Sequence, residues 1–263
     1  AGVRVLDLSV AWAGPLAGRL LSDFGAEVIK LDSCQRLDFV RYQMLAECTA
    51  EGKPWERSWW CTLNRGRLGL TLDLNKRPAV EIFLQLVALS DVIIENFSPR
   101  VMRNFGLEYE VLRGVNPSII MISMSAYGQT GPYRDYIGYG ATIEPVAGIS
   151  HLAGYPDGAP VELDSAVSDP TASFLGTGAL LAALRSRNKT GRGQHIDLSE
   201  AEAVMQLIGG EIMDFTLNGR SPTRMGNRHR WMAPHNCYRC RGDDEWAAIA
   251  VENDEQWQAL CQA

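Results

Sequence analysis

The sequence predicts an α/β fold in which helices cover both faces of a doubly wound, mainly parallel sheet. The first observation is the opening order, an apolar strand at Val3–Leu8, a helix from Ala13 and a second strand at Ala26–Asp32. This order makes the two strands parallel and their crossover right-handed. The second observation is that strands and helices keep alternating, with further apolar strands at Asp91–Glu95 and Ile119–Ser123.

The other elements of this domain follow from periodicity and turn residues. Leu68–Leu74 alternates apolar and polar residues as a strand does, and Pro78 is placed to start a helix that reaches about Leu89. Short helices are expected at Val101–Phe105 and Tyr109–Val115. Residues 34–60 show little periodicity, so no helix or strand is predicted there.

The third observation is a long apolar helix that begins at Pro170 and is followed by a tight turn and the strand Gln194–Leu198. Asp169 stands directly before this helix, and a proline in the first helical position loses no hydrogen bond. Asp169 is therefore expected to be the N-cap, accepting a backbone N–H two or three residues on. Because helix starts stabilise anions, the same place could hold a reactive, ionised carboxylate. The local sequence leaves both interpretations open.

The sequence places a large domain at residues 1–220 and a linker with the beginning of a smaller domain at residues 221–263. Trp246–Val251 predicts a strand, and Asn253–Gln262 predicts the beginning of a helix. Because the chain stops within that element, we expect a C-terminal part to be missing.

The composition narrows the function classes. The 263 residues carry a net charge of −6, and no stripe of lysine and arginine is present to neutralise phosphates, so no nucleic-acid partner is expected. No run of about eighteen apolar residues occurs, so no membrane partner is expected either. The chain begins on a strand-like segment without the pattern of a secretory leader, which favours a cytoplasmic protein.

The six cysteines are scattered through the chain, which is typical of reduced thiols. Cys237 and Cys240 form a single CxxC, with His229 and His235 upstream. A zinc site would normally add a second ligand pair at suitable spacing. The same residues are typical of a strand that enters the turn at Arg241, so no metal is expected.

A nicotinamide cofactor is not expected, although the second strand ends on an acid. Asp32 has the place of the ribose-binding acid of dinucleotide-binding domains. The preceding turn carries Gly14 and Gly18 without the GxGxxG spacing, and the bulky Trp12 stands in it. The sequence also lacks a Walker loop and a GxSxG elbow, which argues against a P-loop protein and a serine hydrolase.

Several stretches together resemble the class III CoA-transferases, the family of formyl-CoA transferase and carnitine CoA-transferase. In chain order they are VRVLDLSVAWAGPLAGRLLSDFGAEVIKLD, NRGRLGLTLDL, DVIIENFSP with FGLEYEVL, AYGQTGPYRD, ALLAALRSRNKTGRGQHIDLSEAEA and YRCRGDDEWAAIAVENDEQW. KTGRGQ alone is a weak signal, but the ordered matches cover nearly the whole chain. The resemblance implies a Rossmann-like large domain followed by a small one.

The resemblance implies chemistry at one carboxylate. In this family an aspartate directly before the long helix attacks an acyl-CoA thioester, and the anhydride so formed is converted to an aspartyl-CoA thioester that serves the acceptor acid. The match assigns this role to Asp169, whereas the nearest other acid, Asp164, lies too early. Acyl transfer through a covalent intermediate requires an oriented carboxylate. A helix start with free N–H groups can also stabilise the oxyanions formed on the way.

The resemblance also implies contacts with coenzyme A, which would be a substrate and not a permanently bound cofactor. Asn96 and Phe97 match the family's ENF motif, and Tyr139 matches an aromatic residue near the thioester. Ala11 and Trp12 occupy positions of the first turn that approach coenzyme A.

Three positions depart from the family's pattern of basic nucleotide contacts, namely Ser33, Asn75 and Asn104. Lys76 and Arg103 stand beside two of them, and Arg36 and Arg41 lie near the first. Because a phosphate requires positive charge nearby more than one fixed residue, Lys76 and Arg103 are expected to take over these contacts.

Two alternatives stay within the same resemblance. The 2-methylacyl-CoA racemases of this fold use a His-Asp pair after the GQTGPY loop, where this chain reads Gly138-Tyr139-Gly140. A racemase without these groups has no proton relay. A non-catalytic CoA-binding subunit of a heteromeric transferase is favoured by the changed nucleotide contacts and opposed by Asp169.

The resulting prediction is an acyl-CoA:carboxylate CoA-transferase whose partners are an acyl-CoA and a small carboxylic acid. The resemblance implies an interlocked homodimer, with a heteromer as the alternative.

Overall fold

The structure of the protein is a computed structural model, which describes residues 2–54, 58–163 and 166–263. The chain divides into two compact units. The first comprises residues 1–147 and 165–207, and the second comprises residues 148–164 and 208–263.

One parallel sheet in the first unit confirms the predicted doubly wound α/β fold. Its six described strands are β1 (Arg4–Asp7), β2 (Glu27–Asp32), β3 (Leu68–Thr71), β4 (Val92–Glu95), β5 (Ile120–Ser125) and β6 (His195–Ser199). They lie in the order β3-β2-β1-β4-β5-β6, and every neighbouring pair is parallel. This is the Rossmann strand order, in which the winding reverses beside the first strand and leaves a crevice at the carboxyl ends of the strands.

Twelve helices are present among the described residues. They are α1 (Ala13–Asp23), α2 (Phe39–Glu51), α3 (Trp59–Asn64), α4 (Arg77–Ala88), α5 (Arg100–Asn104), α6 (Tyr109–Val115), α7 (Gly140–Ala147), α8 (Ile149–Leu152), α9 (Ser168–Thr190), α10 (Glu200–Met205), α11 (Gly209–Asn218) and α12 (Asp254–Gln262). A short 3₁₀ helix, Gln206–Ile208, joins α10 to α11. Of these, α8, α11 and α12 belong to the second unit.

Alternate residues of the central strands are buried on opposite faces of the sheet. Val5 and Ile94 belong to one core cluster, together with residues of α1 and α9. Leu6 and Ile93 belong to another, together with residues of α4 and α6. Because the central strands are covered on both faces, they are continuous apolar runs and do not alternate with polar residues.

The structure corrects the prediction for residues 34–60, which contain α2 and the first turn of α3. Asp38 caps α2, since its Oδ1 accepts the N–H of Val40 at 2.9 Å. The helix is followed by Gly52, which has a φ of 63°. Val40 is buried, whereas most of the helix is exposed or half-buried, so α2 lacks the apolar stripe from which an amphipathic helix is predicted.

The second unit contains an antiparallel hairpin of β7 (His235–Arg239) and β8 (Trp246–Ala250). The strand β8 and the helix α12 lie where the sequence predicts a strand and a helix. Across the described part of the chain, every helix is too short or too polar to span a membrane.

Candidate active site

A cleft of about 740 Å³ lies in the first unit, and the segments that follow the carboxyl ends of β1 to β5 contribute to its wall. Ligands of doubly wound sheets bind in this place. Five of the residues selected from the sequence line the cleft, namely Ala11, Asn96, Phe97, Tyr139 and Asp169. The structure therefore brings them together, while their individual roles stay predictions.

The other three predicted contact residues, Trp12, Lys76 and Arg103, are not among the described residues that line the cleft. Trp12 packs edge to face on Trp59, with ring centroids 4.8 Å apart. The Nε of Arg103 lies 2.8 Å from a carboxylate oxygen of Glu108. Lys76 occupies the N-cap position of α4.

The three positions that depart from the family's basic pattern all line the cleft, namely Ser33, Asn75 and Asn104. Their neutral side chains are accompanied by two bases, Arg36 and Arg100, which also line it. Arg41 is not among the described residues that line the cleft, and its Nη1 lies 3.0 Å from Oδ2 of Asp32, which does line it. Positive charge at this wall thus comes from Arg36 and Arg100.

Asp169 lies in the first turn of α9 and not before it, so its predicted N-cap role is wrong. Val167 holds the N-cap position and makes no side-chain capping bond. The Oδ1 of Asp169 instead accepts the N–H of Ala13, the first residue of α1, at 3.2 Å. Asp169 therefore lies at the starts of two helices, where backbone N–H groups favour negative charge. The rival acid Asp164 lies outside the described residues.

Glu144 on α7 caps α9 in place of Asp169. Its Oε1 accepts the N–H of Val167 at 2.5 Å and that of Ser168 at 3.2 Å. Only 1% of Glu144 is exposed. A carboxylate from another helix thus satisfies two backbone donors at the start of α9, where helix geometry supplies no partner.

Three carboxyl groups that line the cleft have raised pKa values, those of Asp38, Asp169 and Glu200. Burial raises the pKa of Asp169 to about 6, and the negative charge of Glu144 adds to the rise, whereas the Ala13 N–H opposes it. Glu200, the first residue of α10, lines the same cleft and is 6% exposed. Burial raises the pKa of Glu200 well above its ordinary value, and the charge of Asp169 contributes. Each negative charge therefore disfavours the other, and the two carboxyls titrate as a coupled pair.

Asn96 holds the turn between β1 and α1. Its Oδ1 accepts the N–H of Val10 and its Nδ2 donates to the carbonyl of Val10, both at 2.8 Å. A Cβ added to Gly14 would lie 2.1 Å from the Cβ of Ser9 and 3.4 Å from the side chain of Asn96. This close approach explains the glycine at the second position of α1, although the sequence there lacks the dinucleotide spacing.

Gly140 leaves the space beside the other oxygen of Asp169 open. A Cβ added there would lie 3.1 Å from Oδ2 of Asp169 and 2.4 Å from the Cβ of Ala166. The neighbouring Tyr139 packs edge to face on Phe39, with ring centroids 6.0 Å apart. The carboxylate is thus bordered by backbone on one side, with an aromatic pair nearby in the wall of the cleft.

In the described ranges, no three His, Cys, Asp or Glu side chains are grouped so that they could hold a metal ion. Cys237 lies in β7 and Cys240 directly after it, and both are exposed.

Sequence reasoning missed four residues of the cleft and its support, namely Asp38, Arg100, Glu144 and Glu200. Asp38 carries a usable signal, because an aspartate before an apolar pair is a common helix N-cap. Glu200 follows Ser199, the N-cap of α10, and resembles an ordinary acid in a first helical turn. Nothing in the local sequence distinguishes Glu144 from a solvent-exposed helical acid.

Comparison with known proteins connects this site to a family. The family model for CoA-transferase family III matches residues 1–263. The chain is 34% identical over 262 residues to succinate–glutarate CoA-transferase of Agrobacterium fabrum, covering 99% of this chain and 65% of that protein. It is 38% identical over 263 residues to the alpha subunit of succinyl-CoA–L-malate CoA-transferase of Chloroflexus aurantiacus, covering 100% of this chain and 60% of that protein.

A solved structure of a CaiB/BaiF family protein from Brucella suis superposes with a TM-score of 0.86 at 34% identity. The match covers 99% of this chain and 68% of that one. The chain spans 65% and 60% of the length of the two curated relatives described above.

Proposed function

Since the chain belongs to CoA-transferase family III, we propose that the full-length protein moves coenzyme A from an acyl-CoA donor to a carboxylic acid acceptor. One observation carries the proposal, the half-buried Asp169 in the cleft, whose carboxylate accepts the N–H of Ala13 at the start of α1. Two relatives bear names with succinate or succinyl-CoA, which makes succinyl-CoA the first donor to test.

Asp169 is the nucleophile of the proposed reaction. One of its oxygens forms a bond to the thioester carbonyl carbon, the carbon–sulfur bond breaks, and the electron pair leaves on the CoA thiolate. The thiolate then attacks the aspartyl carbon of the mixed anhydride, which releases the donor carboxylate and leaves an aspartyl-CoA thioester. The acceptor carboxylate then attacks the aspartyl-CoA thioester, and the same steps in reverse form the acceptor's CoA thioester and free Asp169. Such a covalent path divides one difficult transfer into easier ones.

The surroundings of Asp169 suit this chemistry. With its pKa at about 6, the carboxylate is ionised at neutral pH and is a stronger base than an exposed aspartate. The Ala13 N–H donates to Oδ1, so it can follow this oxygen when it becomes an oxyanion in the tetrahedral intermediates. The opening beside Gly140 leaves Oδ2 as the attacking oxygen.

Coenzyme A is proposed to lie along the carboxyl ends of the strands. Asn96 and Phe97 would form one wall and Tyr139 the other, while Arg36 and Arg100 would meet the phosphates, because all five line the cleft. Guanidinium groups suit phosphate oxygens, with which they form charge-assisted and often bidentate hydrogen bonds.

The assembly is proposed to be dimeric, with a heteromer as the second possibility. The alpha-subunit name of one relative supports a heteromer. A racemase is less well supported, because no histidine occurs among the described residues that line the cleft. A non-catalytic subunit is favoured by the neutral side chains of Ser33, Asn75 and Asn104 in the cleft. Such a subunit would bind coenzyme A without forming an adduct.

The test is intact-protein mass spectrometry of the full-length protein after exposure to succinyl-CoA, acetyl-CoA and other acyl-CoAs. A CoA adduct is expected on the peptide that holds Asp169, and Asp169→Asn should lower turnover by about a thousandfold or more and remove the adduct. Asp164→Asn is the matched control and should retain both. If coenzyme A binds but no donor forms an adduct, the chain is a binding subunit.

A further inference from the structure

Ala11, in the turn between β1 and α1, has a backbone conformation that side chains disfavour. Its φ is 63°, in the left-handed region where the Cβ approaches the following carbonyl oxygen. Glycine would adopt this conformation without cost. Ala11 lines the cleft, and a residue held in such a conformation at a candidate site requires surrounding contacts that impose it.

Asp38 supplies such a contact. Its Oδ2 accepts the N–H of Ala11 at 3.0 Å, while its Oδ1 accepts the N–H of Val40 at 2.9 Å. Only 3% of Asp38 is exposed. One carboxylate thus serves two purposes, because one oxygen caps α2 and the other holds the turn.

A buried cation holds the same turn from another direction. Lys30 is 4% exposed, and its Nζ donates to the carbonyl of Ser9. Burial raises the pKa of Asp38, and the charge of Lys30 opposes that rise. The cation therefore supports the ionised form of Asp38, in which both oxygens accept hydrogen bonds.

The turn leads directly to Asp169. Two residues after Ala11, the N–H of Ala13 donates to Oδ1 of Asp169. The conformation of Ala11 therefore sets where this donor points.

We propose that Asp38 is a positioning residue for the reaction, which holds Ala11 in its left-handed conformation so that the Ala13 N–H reaches Asp169. The inference rests on the proposed function in one respect, that Asp169 is the nucleophile. The competing view is that Asp38 does no more than cap α2.

Asp38→Asn separates the two views in the full-length protein. Asparagine is as good an N-cap as aspartate, and its single oxygen can still accept the N–H of Val40. Its other terminal atom is an amide nitrogen, a donor that cannot accept the N–H of Ala11. The variant should keep α2 and lose the hold on the turn. It should lower kcat by about tenfold or more, because a small displacement of a catalytic contact is costly.

Ala11→Gly completes a double-mutant cycle. Glycine adopts the left-handed conformation without help, so the turn should persist when Asp38 is replaced. In a protein that carries Ala11→Gly, Asp38→Asn is therefore expected to lower kcat by less than about threefold. When Ala11 is retained, it should lower kcat by about tenfold or more. An equal cost in both backgrounds, or no cost in either, would overturn the inference. If Asp38→Asn does not fold, Asp38→Ser, also a strong N-cap with one oxygen, replaces it in the cycle.

A second readout separates this inference from the proposed function. Hydrogen exchange of the peptide that holds Ala11 and Ala13 should be faster in Asp38→Asn than in the wild type, and the difference should shrink when both proteins also carry Ala11→Gly. This readout requires no substrate. If the wild type forms no adduct on Asp169, the proposed function fails while the exchange cycle still decides whether Asp38 holds the turn.

Discussion

Two walls of the same cleft are built in different ways. One, here called the carboxylate floor, consists of Asp169 and Glu200, which line the cleft, together with Glu144, which caps α9 behind this lining. The other, here called the basic rim, consists of Arg36 and Arg100. Glu144 and Glu200 are at most 6% exposed and Asp169 is half-buried, whereas both arginines of the rim are exposed. Backbone N–H groups hold Asp169 and Glu144 in the floor, whereas the rim consists of long side chains near solvent.

The difference between floor and rim shows in which wall the exact positions of atoms matter for activity. A buried carboxylate loses its hydration and must be compensated by donors at fixed places, so each member of the floor depends on its neighbours. An exposed base interacts with an anion through a high dielectric, and a neighbouring base can replace it at little cost. We therefore expect substitutions that displace the floor to have large effects on turnover and substitutions in the rim to have small ones.

After the loss of Asp169 itself, the largest effect is expected from Gly140→Ala, which tests the rigidity of the floor. The new Cβ would lie 2.4 Å from the Cβ of Ala166, so the segment that leads into α9 must move and carry Asp169 with it. A displacement of this kind can lower kcat by about a hundredfold. The measurement is steady-state turnover of the full-length protein with the donor that forms the adduct.

Gly178→Ala in the middle of α9 is the matched control. Nothing lies within 4 Å of its added Cβ. It should leave turnover unchanged and raise the free energy of unfolding by about 1 kcal/mol, because alanine is the better helix former. Equal turnover in Gly140→Ala and Gly178→Ala would show that the floor accommodates the added methyl group without displacing Asp169.

The contrast between floor and rim also explains which parts of the structure could be predicted from the sequence. The parallel sheet and most of the helices followed from apolar periodicity, because strands covered on both faces are continuous apolar runs. Asp169 could be selected because it precedes a long helix within several ordered motifs. Its N-cap role was wrong, since the first turn of α9 extends past it and Glu144 provides the cap from a distant helix. Such a partner, 24 residues away in sequence, leaves no local signal.

The rim was harder to predict for the opposite reason. Lys76 and Arg103 were chosen because they adjoin the substituted positions in sequence, but neighbours along a chain point in different directions. Arg103 is paired with Glu108, whereas Arg100, one helical turn earlier, lines the cleft. Long exposed side chains follow no periodic pattern in the sequence, so the sequence does not show which of these bases lines the cleft.

An intermediate effect is expected from Glu200→Gln, which removes one titrating group from the floor. Because burial raises the pKa of Glu200 and so favours its neutral form, glutamine should imitate it near neutral pH, and kcat/KM should stay within about threefold of the wild type. The acidic limb reports Asp169, whose pKa is about 6, and should persist. The wild type should lose activity at higher pH, where Glu200 becomes a second anion beside Asp169, and the variant should not.

Glu202→Gln is the control for charge, since Glu202 is exposed on the same short helix. Its pH profile should match that of the wild type. If Glu200→Gln instead moves the acidic limb to lower pH, Glu200 must already be charged when Asp169 titrates, and burial does not keep it neutral.

The smallest effects on kcat are expected at the rim. Arg36→Ala and Arg100→Ala should each raise KM for the acyl-CoA by up to about fivefold with little change in kcat, because one exposed ion pair contributes less than about 1 kcal/mol. The effects should shrink in salt, which screens exposed charges over about 8 Å at 0.15 M. Lys76→Ala and Arg103→Ala are the matched variants, and the cleft geometry predicts that their KM changes are smaller still. Larger changes at Lys76 and Arg103 would support the assignment made from sequence, and would mean that the rim rearranges when coenzyme A binds.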